Sequence, residues 1–366
     1  MTNRIGQRNT GIELLRLISM FLIVMHHYSS PGSGFPGLLF LPDTFNKFFV
    51  EFMYFGGKIG VNCFVIISGY FLSGTEFKIS RLIKLWLLTV FYSVLIYVVF
   101  SLFRQEPFSG KELIKSAFPI LTNRYWFITA YVALYLLYPF INRMIDNLEH
   151  KQMLTLLAVL SVGLCIIPTF LNKKLWTSDL IWFVYMYILG ASIRRNILFH
   201  DISRKKLLGI LLVSTLLMWC SEFVLTKLCE KKGIVSIDIV CHFIWEYSIL
   251  TVAASIALFK LCEEAKIAEN MLAVKWITRL SRSAFAVYLI HANVIVRDWL
   301  WLDLFKNMDH INDRLLPLRS IIIVVAVFTG CLLIDQLRIY IAEHFMIIKY
   351  KQFLKKADAA LEKYIY

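Results

Sequence analysis

Long apolar runs, each closed by a short polar stretch, follow one another along the whole chain. They cover 11–29, 57–74, 82–103, 125–142, 152–170, 177–193, 207–226, 237–259, 283–301 and 317–338. Each is near the length a helix needs to cross the hydrocarbon core of a bilayer. The pattern predicts an all-α integral membrane protein, a bundle of about ten transmembrane helices. No soluble domain, low-complexity linker or internal repeat interrupts the runs. After the last one, 343–366 mixes Phe, Met and Ile with lysines, the composition of an amphipathic helix lying on a membrane surface. The chain therefore divides into a multi-span membrane domain over 1–342 and a cytoplasmic amphipathic tail over 343–366. The stretch PGSGFPG at 31–37, after the first run, predicts an irregular loop.

Composition agrees. Of 366 residues, 58% are hydrophobic and only 17% charged, against about 25% charged in soluble domains. Arg4 and Arg8 precede the first run as they would in a signal peptide, but no small-residue cleavage site follows, so the run reads as a retained span. The net charge of +14 does not require nucleic acid. More than half of the 39 basic residues fall in alternate loops, and the positive-inside rule then places both termini in the cytoplasm. The seven cysteines are scattered and form no C-x-x-C pair, so neither a zinc site nor a disulfide framework is indicated.

The first run carries the most informative polar residues: Glu13 and Arg16 near its start, His26 and His27 near its end. Arg16 and His27 are eleven positions apart, about three helical turns, so they share one stripe roughly 16 Å apart along the axis. His26 is turned about 100° away. Ionisable groups inside a spanning helix are costly and point to function, although a snorkelling arginine and an interfacial histidine would explain the pair without one. Arg81 and Lys84, three apart, share a face at the start of the third run, where ordinary anchoring in headgroups is the competing reading. His242 and Glu246, four apart, can face one another in the eighth run, with a buried structural hydrogen bond the simpler account.

Several of these residues sit in an ordered set of motifs that resembles the membrane acyltransferase-3 family, in its short form without a fused second domain. The set comprises Glu13-x-x-Arg16 followed by ten residues and His27, then Gly60-Val61-Asn62-x-Phe64-x-x-x-Ser68-Gly69-Tyr70-x-Leu72, then Arg81-x-x-Lys84. Trp126-Phe127-Ile128-Thr129-x-Tyr131 and Val287-Tyr288-Leu289-x-His291 complete it. Glu13 replaces the family's usual Asp, Asn62 its common Asp, Lys84 its second Arg, and Tyr131 its frequent Glu. Lys84 keeps the charge but loses the bidentate fork.

The resemblance implies a membrane O-acyltransferase, in the commonest case an O-acetyltransferase. It would move an acyl group from acetyl-CoA or another cytosolic acyl-CoA to a hydroxyl of a surface glycan or its lipid-linked precursor. On that reading His27 and Glu13 are catalytic, with His27 as general base or transient acyl carrier. Arg16, Arg81 and Lys84 bind the phosphates of the donor, and Asn62, Ser68, Trp126, Tyr131 and His291 are candidates to line the site. Its partners are the lipid bilayer and a carbohydrate acceptor, not nucleic acid, and its place is the bacterial plasma membrane as a multi-pass protein. No metal is expected, and a homo-oligomer is left open. An envelope glycan transporter, flippase or polymerase without acyl transfer is the alternative, a membrane sensor for a small ligand a weaker one. The run of spans shows neither the repeat symmetry of the first nor the long charged outer loop of a polymerase.

Overall fold

A computed structural model describes residues 9–33, 41–103, 108–172, 178–234, 236–268 and 272–345, together with Trp176, Leu354 and residues 357–359. Every regular element among them is helical. Seven helices are long and apolar enough to cross a membrane: Thr10–Ser30, Phe45–Leu72, Ile79–Phe103, Trp126–Asp146, His150–Leu171, Arg204–Lys232 and Leu316–Ala342. An eighth span arises if the pair Leu272–His291 and Val294–His310, bent by 75°, is one broken crossing. The protein is thus an all-helical, multi-pass membrane protein.

Three of the ten apolar runs are not single long helices: those at 237–259 and 283–301 are broken, and that at 177–193 is one short helix. In chain order α1 is Thr10–His27, α2 Phe45–Leu72, α3 Ile79–Phe103, α4 Gly110–Ala117, α5 Trp126–Asp146, α6 His150–Ser161 and α7 Ile167–Leu171. Then come α8 Asp179–Arg194, α9 Arg204–Lys232, α10 Ile237–Val240, α11 Ile249–Glu263, α12 Leu272–Leu280, α13 Ala284–His291, α14 Val294–Asp298 and α15 Leu316–Phe345. The run at 237–259 is not one helix: it stops at Val240, turns through 241–248 and restarts at Ile249. Thr251 fastens that turn by donating to the Ile244 carbonyl at 3.1 Å. The sixth run folds as α8, which has 16 residues, and only 15 remain in α11, both short of a full crossing. The loop at 34–40 and most of the tail lie outside the described residues.

α1 is the central strut, packed against α2, α11, α12, α13 and α15. Asn9 starts it by capping the Gly11 and Ile12 amides at 2.9 and 3.2 Å. The Asn9 amide also donates to the Glu263 carbonyl at 3.0 Å, tying the start of α1 to the end of α11. Along α2 the small residues allow very close approach. A Cβ on Gly60 would lie 2.5 Å from the Ser19 carbonyl oxygen, and one on Gly57 would lie 2.4 Å from the His26 ring. On the other side of α2, Gly69 meets the Tyr187 backbone and Gly190 of α8 meets the Ile66 carbonyl. Close backbone packing of small residues is a general way to join membrane helices, where hydrophobic burial gives little drive.

One end of the bundle gathers the start of α1, the end of α2 and the start of α3. Arg16 lies over the Phe71 ring at 5.6 Å, and Arg194 donates to the Tyr70 carbonyl at 2.9 Å. Asp358 of the tail accepts from the Ser80 amide at 2.8 Å, so that part of the tail returns to this same end.

Candidate active site

Two adjacent histidines close α1, and their surroundings separate them. The Nδ1–H of His26 donates to the Tyr54 carbonyl at 2.7 Å, and its ring packs at a tilt of 36° on Tyr54 with centroids 4.2 Å apart. Its contacts are with α2. His27 points toward α13 instead, where its Nδ1 lies 2.9 Å from Nε2 of the fully buried His291. Nδ1 of His291 is in turn 2.6 Å from the Val287 carbonyl. For neutral imidazoles this network has one solution. The carbonyl only accepts, so His291 carries its proton on Nδ1 and offers Nε2 as acceptor. His27 then donates from Nδ1, and its Nε2 keeps a bare lone pair.

His291 owes its position to residues that the sequence reading passed over. Tyr125, just ahead of α5, donates its hydroxyl to the Leu289 carbonyl at 2.9 Å. The amide of buried Asn293 donates back to the Tyr125 oxygen at 2.7 Å, while its carbonyl oxygen caps Ile295 at 3.1 Å. Asn293 thereby ends α13 just beyond His291 and opens α14, fixing the bend. The sequence signal was an Asn two places past a histidine inside an apolar run, which reads as an N-cap.

His27 borders a small cavity of about 40 Å³ with Met20, Ile23, Val61, Trp126 and Tyr288. A larger one of about 300 Å³ is lined by Arg16, Ser68, Tyr131, Ser281 and Arg282, among others. Phe64, Phe127 and Phe285 line both, so three aromatic rings form the partition between them. Of the sequence candidates, Arg16, Ser68 and Tyr131 thus meet at one cavity and His27 and Trp126 at its neighbour, with His291 behind His27. Glu13 pairs with Arg16 at 3.5 Å and is buried. Ser68 donates to Tyr131 at 3.4 Å.

Other candidates lie elsewhere. Asn62 is buried between α8 and the 241–248 turn, accepting from the Trp182 indole at 3.0 Å and donating to the Glu246 carbonyl at 2.9 Å. Arg81 and Lys84 are on the exposed flank of α3, outside both cavities, where Arg81 makes a long contact of 3.4 Å with Thr75. His242 and Glu246 do not pair: His242 donates to the Thr169 carbonyl at 2.7 Å, and Glu246 forms a 2.9 Å ion pair with Lys58. Arg282 was not singled out, because in the sequence it is one of several basic residues near a helix start. Among the described residues no three His, Cys, Asp or Glu side chains stand close enough to hold a metal ion.

The family model described as an acyltransferase domain, that of the acyltransferase-3 family, matches residues 9–336. The chain belongs to that family. It is a membrane acyltransferase, and the transporter, polymerase and sensor classes give way to an enzyme. Neither the curated proteins nor the solved structures that were compared gave a match. In this acyltransferase the matched stretch runs from the Asn9 cap of α1 to Gln336 of α15, so it includes all the elements that build the two cavities.

Proposed function

We propose that this acyltransferase moves an acyl group, acetyl in the simplest case, from a cytosolic acyl-CoA to a hydroxyl of a surface glycan or its lipid-linked precursor. The observation that carries the reading is the aligned pair at the ends of α1. At one end, Arg16 stands in a 300 Å³ cavity; at the other, His27 has its Nε2 unprotonated by the His291 and Val287 relay. The cavities share a wall of three phenylalanines, and these rings have to part for a thin, extended pantetheine arm to pass from Arg16 to His27. The residues fit the charged end as well: Arg16 and Arg282 line the same cavity and offer charge-assisted hydrogen bonds to phosphate.

A thioester donor supplies the activated acyl carbon. His27 takes the proton of the acceptor hydroxyl on Nε2 as that oxygen attacks, and later returns the proton to the departing sulfur, so the imidazole ends as it began. His291 accepts the Nδ1–H of His27 throughout, which holds the ring in one tautomer at the border of the cavity and steadies the transient imidazolium. Glu13 holds Arg16 in place and acts through it. Arg81 and Lys84, outside the cavities, attract an anionic donor to this end of the bundle from a distance. The clustering of basic side chains there supports a cytoplasmic location for that end; the membrane proposed is a bacterial plasma membrane.

Purified protein in detergent, given acetyl-CoA labelled in the acetyl group, tests the donor half: label should pass to a glycan or to water. No loss of acetyl-CoA under any acceptor condition would sink the reading. Comparing envelope glycans from cells with and without the gene names the acceptor.

A further inference from the structure

A third cavity, of about 570 Å³, opens between α12 and α15 and is lined by Lys275, Thr278, Arg279, Arg282, Gln336 and Tyr340, among others. We infer that this groove is a phosphate-binding site that takes the phosphorylated nucleotide end of the acyl donor. The inference rests on the acyl-CoA reading above and extends it to residues outside the family motifs that the sequence displays.

Lys275, Arg279 and Arg282 follow one another at spacings of four and three, so a single face of α12 and the turn after it presents all three cations. Such a cluster repels itself unless an anion or a carboxylate lies among the charges. Lys275 and Arg282 have no carboxylate partner among the described residues. Arg279 is held by an uncharged neighbour: its Nε donates to the Gln336 side chain at 3.0 Å, and Gln336 donates on to the Arg279 carbonyl at 3.2 Å and to Ser283 at 2.7 Å. This fixes the arginine's fork without neutralising it, the arrangement that suits phosphate recognition. Ile339 and Tyr340 add an apolar and aromatic wall on α15.

Continuity with the reaction centre comes from Arg282, which lines this groove and the Arg16 cavity alike. α12 itself packs on α1. A donor with its phosphates on Lys275, Arg279 and Arg282 would send its arm past Arg16 and the phenylalanine wall toward His27. The nucleotide end would therefore rest on the α12–α15 side, not on the flank of α3 that carries Arg81 and Lys84.

An anionic lipid headgroup offers the same phosphate chemistry, and the test must separate the two. The probe is adenosine 3′,5′-bisphosphate, which has the charged end of the donor and no thioester, titrated calorimetrically onto the full chain in nanodiscs of zwitterionic phosphatidylcholine. Lys275 and Arg282 are exposed, so Lys275→Gln and Arg282→Gln should fold. Each is expected to weaken the bisphosphate about 10-fold, the size of one lost charge-assisted contact, while Lys205→Gln on α9 leaves it unchanged. In turnover, Lys275→Gln should raise KM for acetyl-CoA by a similar factor and leave KM for S-acetylpantetheine alone. Bisphosphate affinity equal in all these proteins, or no binding to the native one, overturns the site. So does a result in which the variants lose only association with phosphatidylglycerol, which would make the groove a headgroup site. Lys275-dependent binding in a protein that consumes no acetyl-CoA keeps the site and sinks the donor reading; acetyl-CoA turnover with unaltered affinity in both variants does the reverse.

Discussion

At the level of single residues, His26 and His27 differ only in which neighbour each ring meets, and that difference separates packing from chemistry. His27→Ala removes the imidazole that borders the small cavity. A general base is worth about 10²–10⁴ in rate, so kcat should fall by that order while the purified variant keeps its elution profile and helical signal. His26→Ala should leave kcat within a few-fold and lower the melting temperature instead, because its ring is a packing surface for Tyr54 and Gly57. The opposite pattern of activities would defeat the assignment. His291 is a positioning residue, and its variants should show it. His291→Ala is expected to lower kcat roughly 10–100-fold, the scale of an orienting hydrogen bond of about 1.5–3 kcal/mol. His291→Gln, whose carbonyl oxygen can accept from His27, should recover part of the loss, a rescue that a purely space-filling role would not give.

Among the elements, the joint between α1 and α2 decides whether the stripe on α1 faces the cavities. Gly57 sits where any Cβ would collide with the His26 ring, and overpacking of this kind costs about 1–3 kcal/mol. Gly57→Ala should therefore lower the melting temperature, and adding His26→Ala should relieve much of the loss. Such non-additivity is expected of two residues in contact; strictly additive shifts in a double-mutant cycle would mean that the two side chains do not share this space. The charged flank of α3 makes a different prediction. Arg81 and Lys84 lie outside the cavities, so Arg81→Gln or Lys84→Gln should reduce kcat/KM for acyl-CoA only a few-fold, with the deficit shrinking as salt screens it. Arg16→Gln, inside the cavity, should cost roughly 10–100-fold with little dependence on salt. Equal, salt-independent losses at Arg16 and Arg81 would place α3 in direct contact with the donor.

For the whole molecule, the proposal requires the Arg16 end to face the cytoplasm, where acyl-CoA is found. Reporter fusions and cysteine labelling should then find residues 1–8, 195–206 and 343–366 inside, and 31–50 and 302–316 outside. The Asp358 contact with Ser80 already brings part of the tail to the Arg16 end, so an external tail would carry the donor cavity outside with it and end the acyl-CoA reading.

The sequence by itself determined that the chain is helical and lies in a membrane, because runs of twenty or so apolar residues have no other stable resting place. It also determined the aligned Arg16 and His27, since helical periodicity converts an offset of eleven into a shared stripe. Interruptions of those runs were not legible. The turn at 241–248 is fastened by the Thr251 hydroxyl on the Ile244 carbonyl, and the bend after His291 by Tyr125, 164 positions away, on the Leu289 carbonyl, and hydropathy is blind to such partners. The pairing of His27 with His291, 264 positions apart, and the entry of Arg282 beside Arg16 are likewise products of how the helices pack. Residue spacing fixes which side chains share a face of one helix; only packing decides which faces meet, and a catalytic site is made where they do.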